Sequence, residues 1–153
     1  MDHTAITDAF WGRVKDINSD VGDDYRVRRA SGDPKFAPII MDLILTEKKC
    51  GLFGLKHLQD RQPEQVPVMG GVMVLVDFDG TPRGAVQTVK IKPVPYKDIN
   101  EEHLAVEGPG ARQIDVWQKI HWPYWTQMLE PFGLEPSEDM IVVVEQFKLI
   151  YSE

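Results

Sequence analysis

The spacing of apolar residues changes once along the chain, and this change constrains the fold more than any other feature. Near the start, Ile6, Phe10, Val14 and Ile17 recur at the three- to four-residue spacing of one helical face. From Val72 to Val76 the apolar residues instead form a short β-branched run, which is typical of a buried strand. Helices followed by strands in this order predict an α+β fold.

Two helices are predicted ahead of these strands. The first has Thr4 or Thr7 available as its N-cap. The second spans residues 36–45 and follows an Asp-Pro pair that suits a cap and a first helical position. The segment 20–34 has no apolar period and is expected to connect the two helices.

Strands dominate the middle and the end of the chain. The patterns predict strands at residues 51–58, 72–76, 85–94 and 140–151, with a tight turn at Asp79 and Gly80. A two-turn helix is expected from Asn100 to Gly108, and a longer one from Ile114 to Met128. Because Pro123 removes a backbone donor, the longer helix is expected to kink or to divide into two abutting helices.

Charge and cysteine content narrow the function classes. The chain has 17 Lys and Arg against 24 Asp and Glu, a formal net charge of −7. This balance argues against a uniformly basic nucleic-acid or membrane binder, although it permits a local basic patch. Cys50 is the only cysteine, so neither an internal disulfide nor a cysteine-based zinc site is expected. With no long apolar run and no signal-peptide pattern in residues 1–20, we expect a cytoplasmic protein without a membrane partner.

The sequence carries no familiar catalytic signature. It lacks G-x-S-x-G, P-loop, H-E-x-x-H and paired C-x-x-C patterns, so it matches neither serine hydrolases, P-loop kinases nor zincins. His103 and Glu107 are four residues apart, but no third ligand is spaced to complete a metal site. A surface pair is the better interpretation, and neither a metal nor a cofactor is predicted.

Two groups of residues can each be structural or functional. The turn from Glu107 to Arg112 contains Gly108 and Gly110 and leads into a helix. Its backbone donors can hold an anion, or it only connects two helices with its glycines in left-handed conformations. Lys48 and Lys49 either complement a helix dipole in solvent or favour the thiolate of Cys50, which follows them directly.

Glu145 and a tryptophan-rich helix also carry two interpretations each. Alternation along 140–151 places Glu145 among apolar residues, so it is either buried with a partner or turned outward by a bulge. The second group has helical spacing and predicts core packing, although one of its rings can stay exposed and stack on a base. Its members are Trp117, His121, Trp122, Tyr124 and Trp125.

Three separated segments together resemble a known family. They are the helix end at Lys48 and Lys49, the Glu107–Gly110 turn with Trp117, His121 and Trp122, and the motif Val144-Glu145-Gln146-Phe147. Over residues 33–151 the chain resembles ASCH domain proteins of the YhfF-like branch. The resemblance implies an α+β, PUA-like mixed β-barrel flanked by helices, with N-terminal helices preceding the barrel strands. It also implies a single domain over 1–153, in which 1–32 form an N-terminal helical extension.

The resemblance implies chemistry directed at RNA. Some ASCH relatives are amidohydrolases that deacetylate N4-acetylcytidine with a lysine, a threonine three residues later and a glutamate; ribonuclease activity is reported for others. Lys49 and Glu107 match the lysine and the glutamate, whereas Leu52 occupies the threonine position, so that nucleophile is lost. Glu47 stands where the branch usually has a glycine, and Pro109 where it has an acidic residue.

Three hypotheses follow for function. The first is a pocket at the barrel mouth that binds RNA, a nucleotide or a modified nucleoside through its base and phosphate. The second is a hydrolase, either an amidohydrolase or a ribonuclease, in which the catalytic residues Lys49 and Glu107 activate water. The third is a protein-interaction scaffold or homodimer with exposed aromatic residues. The residues assigned to binding are Lys48, Gly108, Gly110, Arg112, Trp117, His121, Trp122 and Glu145.

Overall fold

The computed structural model describes residues 1–153 and contains five helices and five strands. The helices are α1 (Ala5–Ile17), α2 (Ala37–Leu45), α3 (Lys56–Gln59), α4 (Glu101–Leu104) and α5 (Ile114–Leu129). The strands are β1 (Arg26–Arg29), β2 (Gly51–Leu55), β3 (Val72–Val76), β4 (Pro82–Pro95) and β5 (Ile141–Ser152). None of the helices is both long enough and apolar enough to cross a membrane.

The five strands form one mixed sheet in the order β1-β3-β4-β5-β2. β1 runs parallel to β3, whereas the β3–β4 and β2–β5 pairs are antiparallel. The strand β1 lies inside the segment 20–34, which was expected to be a connection. No sequence pattern predicted this strand. Its sequence is Arg-Val-Arg-Arg, and an edge strand in which only Val27 is buried gives no apolar alternation to detect. The assignment of residues 1–32 as an extension of a single domain stays a prediction.

The chain forms two compact units, and the first comprises Met1–Cys50, Val68–Val89 and Phe147–Glu153. In it, Thr4 caps α1, since its hydroxyl accepts a hydrogen bond from the Thr7 backbone N–H at 3.2 Å. The expected apolar face of α1 is only half right, because Ile6 and Ile17 are 63% and 70% exposed. Phe10 and Val14 of the expected face are buried, and Thr7 and Trp11 are buried beside them.

The second unit comprises Gly51–Pro67 and Lys90–Gln146. Here α4 is a single turn rather than the expected two, and it ends at Leu104, so His103 and Glu107 do not share a helix. The His103 Nδ1 accepts from the Asn100 backbone N–H at 3.0 Å and completes a capping box. Burial, and after it the charge of Lys92, lowers the pKa of His103.

The helix α5 is continuous through Pro123, so of the two expectations, a kink or two abutting helices, the second is wrong. Proline leaves one carbonyl in the preceding turn without its usual donor. Pro123 and Lys119, four residues before it, are both solvent-exposed, so water can satisfy that carbonyl. Trp117 and Trp125, on either side of Pro123, are both buried, and their packing holds the two halves in one helix.

Candidate functional site

The helix α5 presents a stripe of aromatic residues to the core of the second unit. Trp117, His121 and Trp125 are spaced four residues apart and therefore lie on one helical face. The His121 ring stacks on Trp117 with centroids 4.5 Å apart, and the Trp117 and Trp125 rings meet edge to face at 5.6 Å. Trp117 and Trp125 are 0% and 1% exposed, so the core-packing interpretation holds for both.

Two residues that the sequence analysis missed complete this aromatic cluster. Phe53 in β2 contacts Trp117 edge to face at 5.2 Å. Tyr96, directly after β4, meets Trp122 edge to face at 5.0 Å, and burial, with a further contribution from the charge of Glu138, raises the pKa of Tyr96. Neither residue is close to α5 in sequence. The only sequence signal for either residue was an aromatic side chain within or beside a predicted strand. We define the aromatic cluster as Phe53, Tyr96, Trp117, His121, Trp122 and Trp125.

Three rings of the aromatic cluster reach the surface of the unit. Phe53, His121 and Trp122 are each only partly buried. The His121 Nδ1 donates to the backbone carbonyl of Trp117 at 2.9 Å, which fixes the orientation of the imidazole. The Trp117 Nε1 donor is buried without an acceptor. The cluster thus supplies three partly exposed rings on a rigid base and one unsatisfied donor inside it.

Glu145 is buried in the β2–β5 ladder, so the alternative in which a bulge turns it outward is wrong. Glu145 is only 5% exposed. The ladder runs without interruption from the pair Gly51 and Gln146 to the pair Leu55 and Val142. Glu145 lies opposite Leu52 in this register, so the two side chains share one face of the strand pair. Glu145 has an interaction partner.

The predicted binding residues of the second unit do not all lie on one side of the β2–β5 pair. Successive strand residues point to opposite faces, so Phe53 and Leu52 face opposite ways. Phe53 contacts Trp117 and His121, whereas Glu145 shares the face of Leu52. The carboxylate of Glu145 and the aromatic cluster are therefore separated by the strand pair.

The Glu107–Arg112 turn lies close to the start of β2. A Cβ added to Gly51 would come within 2.5 Å of the Val106 side chain, so only glycine permits this approach. Glu107 itself is 6% exposed and has an interaction partner. Arg112 is exposed, and its Nε donates to the Glu107 backbone carbonyl at 2.8 Å.

The two glycines of this turn do not adopt left-handed conformations. This finding contradicts the interpretation in which the turn only connects two helices through left-handed glycines. Gly108 has φ −58° and is buried, and the glycines with positive φ lie elsewhere, at Gly70, Gly80 and Gly133. Gly110 is exposed within a short 3-10 turn. Together with Glu107 and Arg112, the turn places buried and exposed polar groups next to each other.

In the first unit, the two lysines after α2 differ in environment. Lys48 is exposed, whereas Lys49 is 6% exposed and has an interaction partner, so the pair is not simply a solvated helix end. Their backbone N–H groups both donate to the Leu43 carbonyl, at 2.8 and 2.9 Å. Glu47, directly before them, has φ 59° and is the single non-glycine residue in the left-handed region. A glycine would adopt this conformation without the steric penalty of a Cβ.

Comparison with solved structures defines the fold class. The ASCH domain from Lactobacillus crispatus JV V101 superposes with a TM-score of 0.87 at 22% identity, covering 99% of this chain and 98% of that one. A protein from Enterococcus faecalis V583 superposes with a TM-score of 0.80 at 20% identity, covering 93% of this chain and 86% of that one. The expected α+β fold with a PUA-like barrel sheet is thereby confirmed.

The sequence itself also matches a family model. The model of the ASCH domain covers residues 30–151, and the chain belongs to the ASCH domain family. The family resemblance drawn from the three sequence segments is therefore confirmed. No curated protein matches the chain.

Proposed function

We propose that this ASCH domain binds RNA, a nucleotide or a modified nucleoside by stacking a base against Trp122 and His121. The observation that carries the proposal is the partly exposed Trp122 ring beside the buried Tyr96, 5.0 Å between centroids. Because this neighbour already restricts the indole, stacking a base costs little further side-chain entropy. Stacking on an aromatic ring contributes about 1–3 kcal/mol per base. The RNA-directed character of ASCH domains in general supports the same ligand class.

Polar groups around the base would provide the remaining contacts. We assign phosphate binding to the exposed cation Arg112, and backbone contacts to the turn that contains Gly108 and Gly110. A local cation of this kind fits a protein of net charge −7 better than an extended basic surface does. The single cysteine fits the reducing cytoplasm in which such ligands occur.

A thermal-shift panel tests this proposal. It would contain nucleosides, nucleotides, short single-stranded RNAs and N4-acetylcytidine, because a ligand that binds the folded state raises its melting temperature. A shift in the wild type that Trp122→Ala loses supports base stacking. Tyr124→Ala is the matched control, since Tyr124 lies on the same helix, is 49% exposed and contacts no ring of the aromatic cluster. A shift that survives in Trp122→Ala contradicts the proposal.

Hydrolysis of a modified nucleoside or of RNA is the second candidate function. Glu107 and Glu145 are both buried, at 6% and 5% exposure, and a buried carboxylate is costly unless the site uses or pairs it. In this candidate Glu107 is the general base that activates water. Acetate release from N4-acetylcytidine that Glu107→Gln abolishes would support it, whereas release unchanged by that substitution would remove Glu107 from the reaction.

A further inference from the structure

The first unit contains a cavity of about 510 Å³ between the start of α2 and the turn that joins β3 to β4. Every residue that lines it belongs to this unit. Part of this space is open to solvent, and its volume falls within the range of about 300–1,000 Å³ that is usual for small-molecule sites. None of the residues assigned to base binding or catalysis takes part in it.

One wall of this cavity is apolar. Ala37 and Met41, one helical turn apart on α2, are 7% and 3% exposed and form the buried part of the wall. Pro38 and Phe78 extend it, and Ile39, although 57% exposed, also lines the cavity. Such a wall favours a ligand with an apolar body, because covering these side chains removes apolar surface from water.

The charged residues that line the cavity are not balanced. Arg83 Nη1 donates to the Asp77 carboxylate at 3.1 Å, so these two charges neutralise each other. Asp42 also lines the cavity, and no side chain forms a hydrogen bond or ion pair with its carboxylate. Only its backbone carbonyl is used, as the acceptor for Thr46 at the end of α2. The lining therefore has one uncompensated negative charge.

A nearby cation does not supply the missing charge. Arg29 lies with its guanidinium carbon 4.5 Å from the centroid of the Phe78 ring, and its Nη2 donates to the Phe78 carbonyl at 3.2 Å. These contacts hold the guanidinium on Phe78 rather than on Asp42.

We propose that this cavity binds a small organic cation, an amine with an apolar body. The ammonium group pairs with the Asp42 carboxylate, and the apolar body packs against Ala37 and Met41. An anion of the same shape would meet an unpaired carboxylate and would bind more weakly, which gives the site its selectivity. The proposal is independent of base binding in the second unit.

An NMR titration with three matched probes tests the proposal. Phenethylamine, 2-phenylethanol and 3-phenylpropionate share an apolar ring and differ in charge. We expect phenethylamine to bind most tightly and to perturb backbone amides of α2 and of residues 77–83. Asp42→Asn should weaken its binding about three- to tenfold, as for a partly exposed ion pair. Asp16→Asn, an exposed aspartate on α1 without an ion-pair partner, is the matched control and should leave binding unchanged.

Four outcomes would overturn the proposal. They are equal binding of the anion and the cation, no effect of Asp42→Asn, perturbations that lie outside the cavity, and no binding of phenethylamine up to about 10 mM. Because Asp42 is exposed and unpaired, its replacement by asparagine leaves the fold intact and the comparison interpretable.

Discussion

Leu52 and Glu145 are directly opposed in the antiparallel β2–β5 ladder. Opposed residues in such a ladder have Cβ atoms about 4.5–5.5 Å apart on the same face. At the position of Leu52 the family resemblance implies the threonine of an amidohydrolase, and Glu145 is buried. The chain thus retains a carboxylate beside this position and lacks the hydroxyl.

Restoring that hydroxyl is expected to create or increase amidohydrolase activity. Leu52→Thr places a nucleophile on the face of Glu145, and acetate release from N4-acetylcytidine should rise above the wild-type level. Leu52→Val is the matched control, because it is also β-branched and has no hydroxyl. Equal release by the two variants would show that the missing hydroxyl does not limit the reaction.

Glycine at position 47 is expected to stabilise the protein. Glu47 has φ 59°, where a Cβ is unfavourable, so Glu47→Gly should raise the free energy of unfolding by about 0.5–1 kcal/mol. Urea denaturation measures the change. Glu47→Ala removes the carboxylate and keeps the Cβ, so it should give no gain; a gain equal to that of Glu47→Gly would attribute the effect to charge.

A methyl group at position 51 is expected to destabilise the second unit. A Cβ at Gly51 would come within 2.5 Å of both Val106 and the Glu145 carbonyl, so Gly51→Ala should cost about 2–4 kcal/mol. A Cβ at Gly110 meets nothing within 4 Å, so Gly110→Ala should change stability by less than about 0.5 kcal/mol. Similar losses in the two variants would contradict the close approach at Gly51.

His103 is expected to make the protein less stable in mild acid. Since its pKa is lower in the folded state than the ordinary value of 6.5, the unfolded chain binds the proton more readily. The contribution of neutral His103 to the stability of the folded state is therefore complete above pH 6.5. It is lost as pH falls through the lower folded-state pKa. His103→Gln retains a capping side chain without this titration. Melting temperatures between about pH 7 and 5 should fall more steeply for the wild type; parallel slopes would contradict the effect.

Local patterns predicted those strands whose apolar residues form a clear run or alternation in the sequence. The β-branched run of β3 and the alternation of β5 were sufficient, and period two also placed Glu145 among buried residues. β1 could not be found, because pairing with β3 rather than its own sequence makes it a strand.

The aromatic cluster shows the same limit at the candidate site. The spacing within α5 groups Trp117, His121 and Trp125, but Phe53 and Tyr96 join them only through tertiary packing. The left-handed conformation of Glu47 was equally hidden, because glutamate is not a residue that signals positive φ. The sequence could therefore predict the fold class and the aromatic spacing of α5, but not which of the predicted site residues share a face.

The central claim is that Trp122 stacks on a base, and fluorescence anisotropy with a labelled single-stranded RNA tests it most directly. Trp122→Ala should weaken binding by about 1–3 kcal/mol, or roughly five- to 150-fold, whereas Trp122→Phe should retain most of the affinity. Tyr124→Ala should bind like the wild type. Wild-type affinity in Trp122→Ala would contradict the claim, and absence of RNA binding together with concentration-dependent mass would favour a protein-interaction scaffold instead.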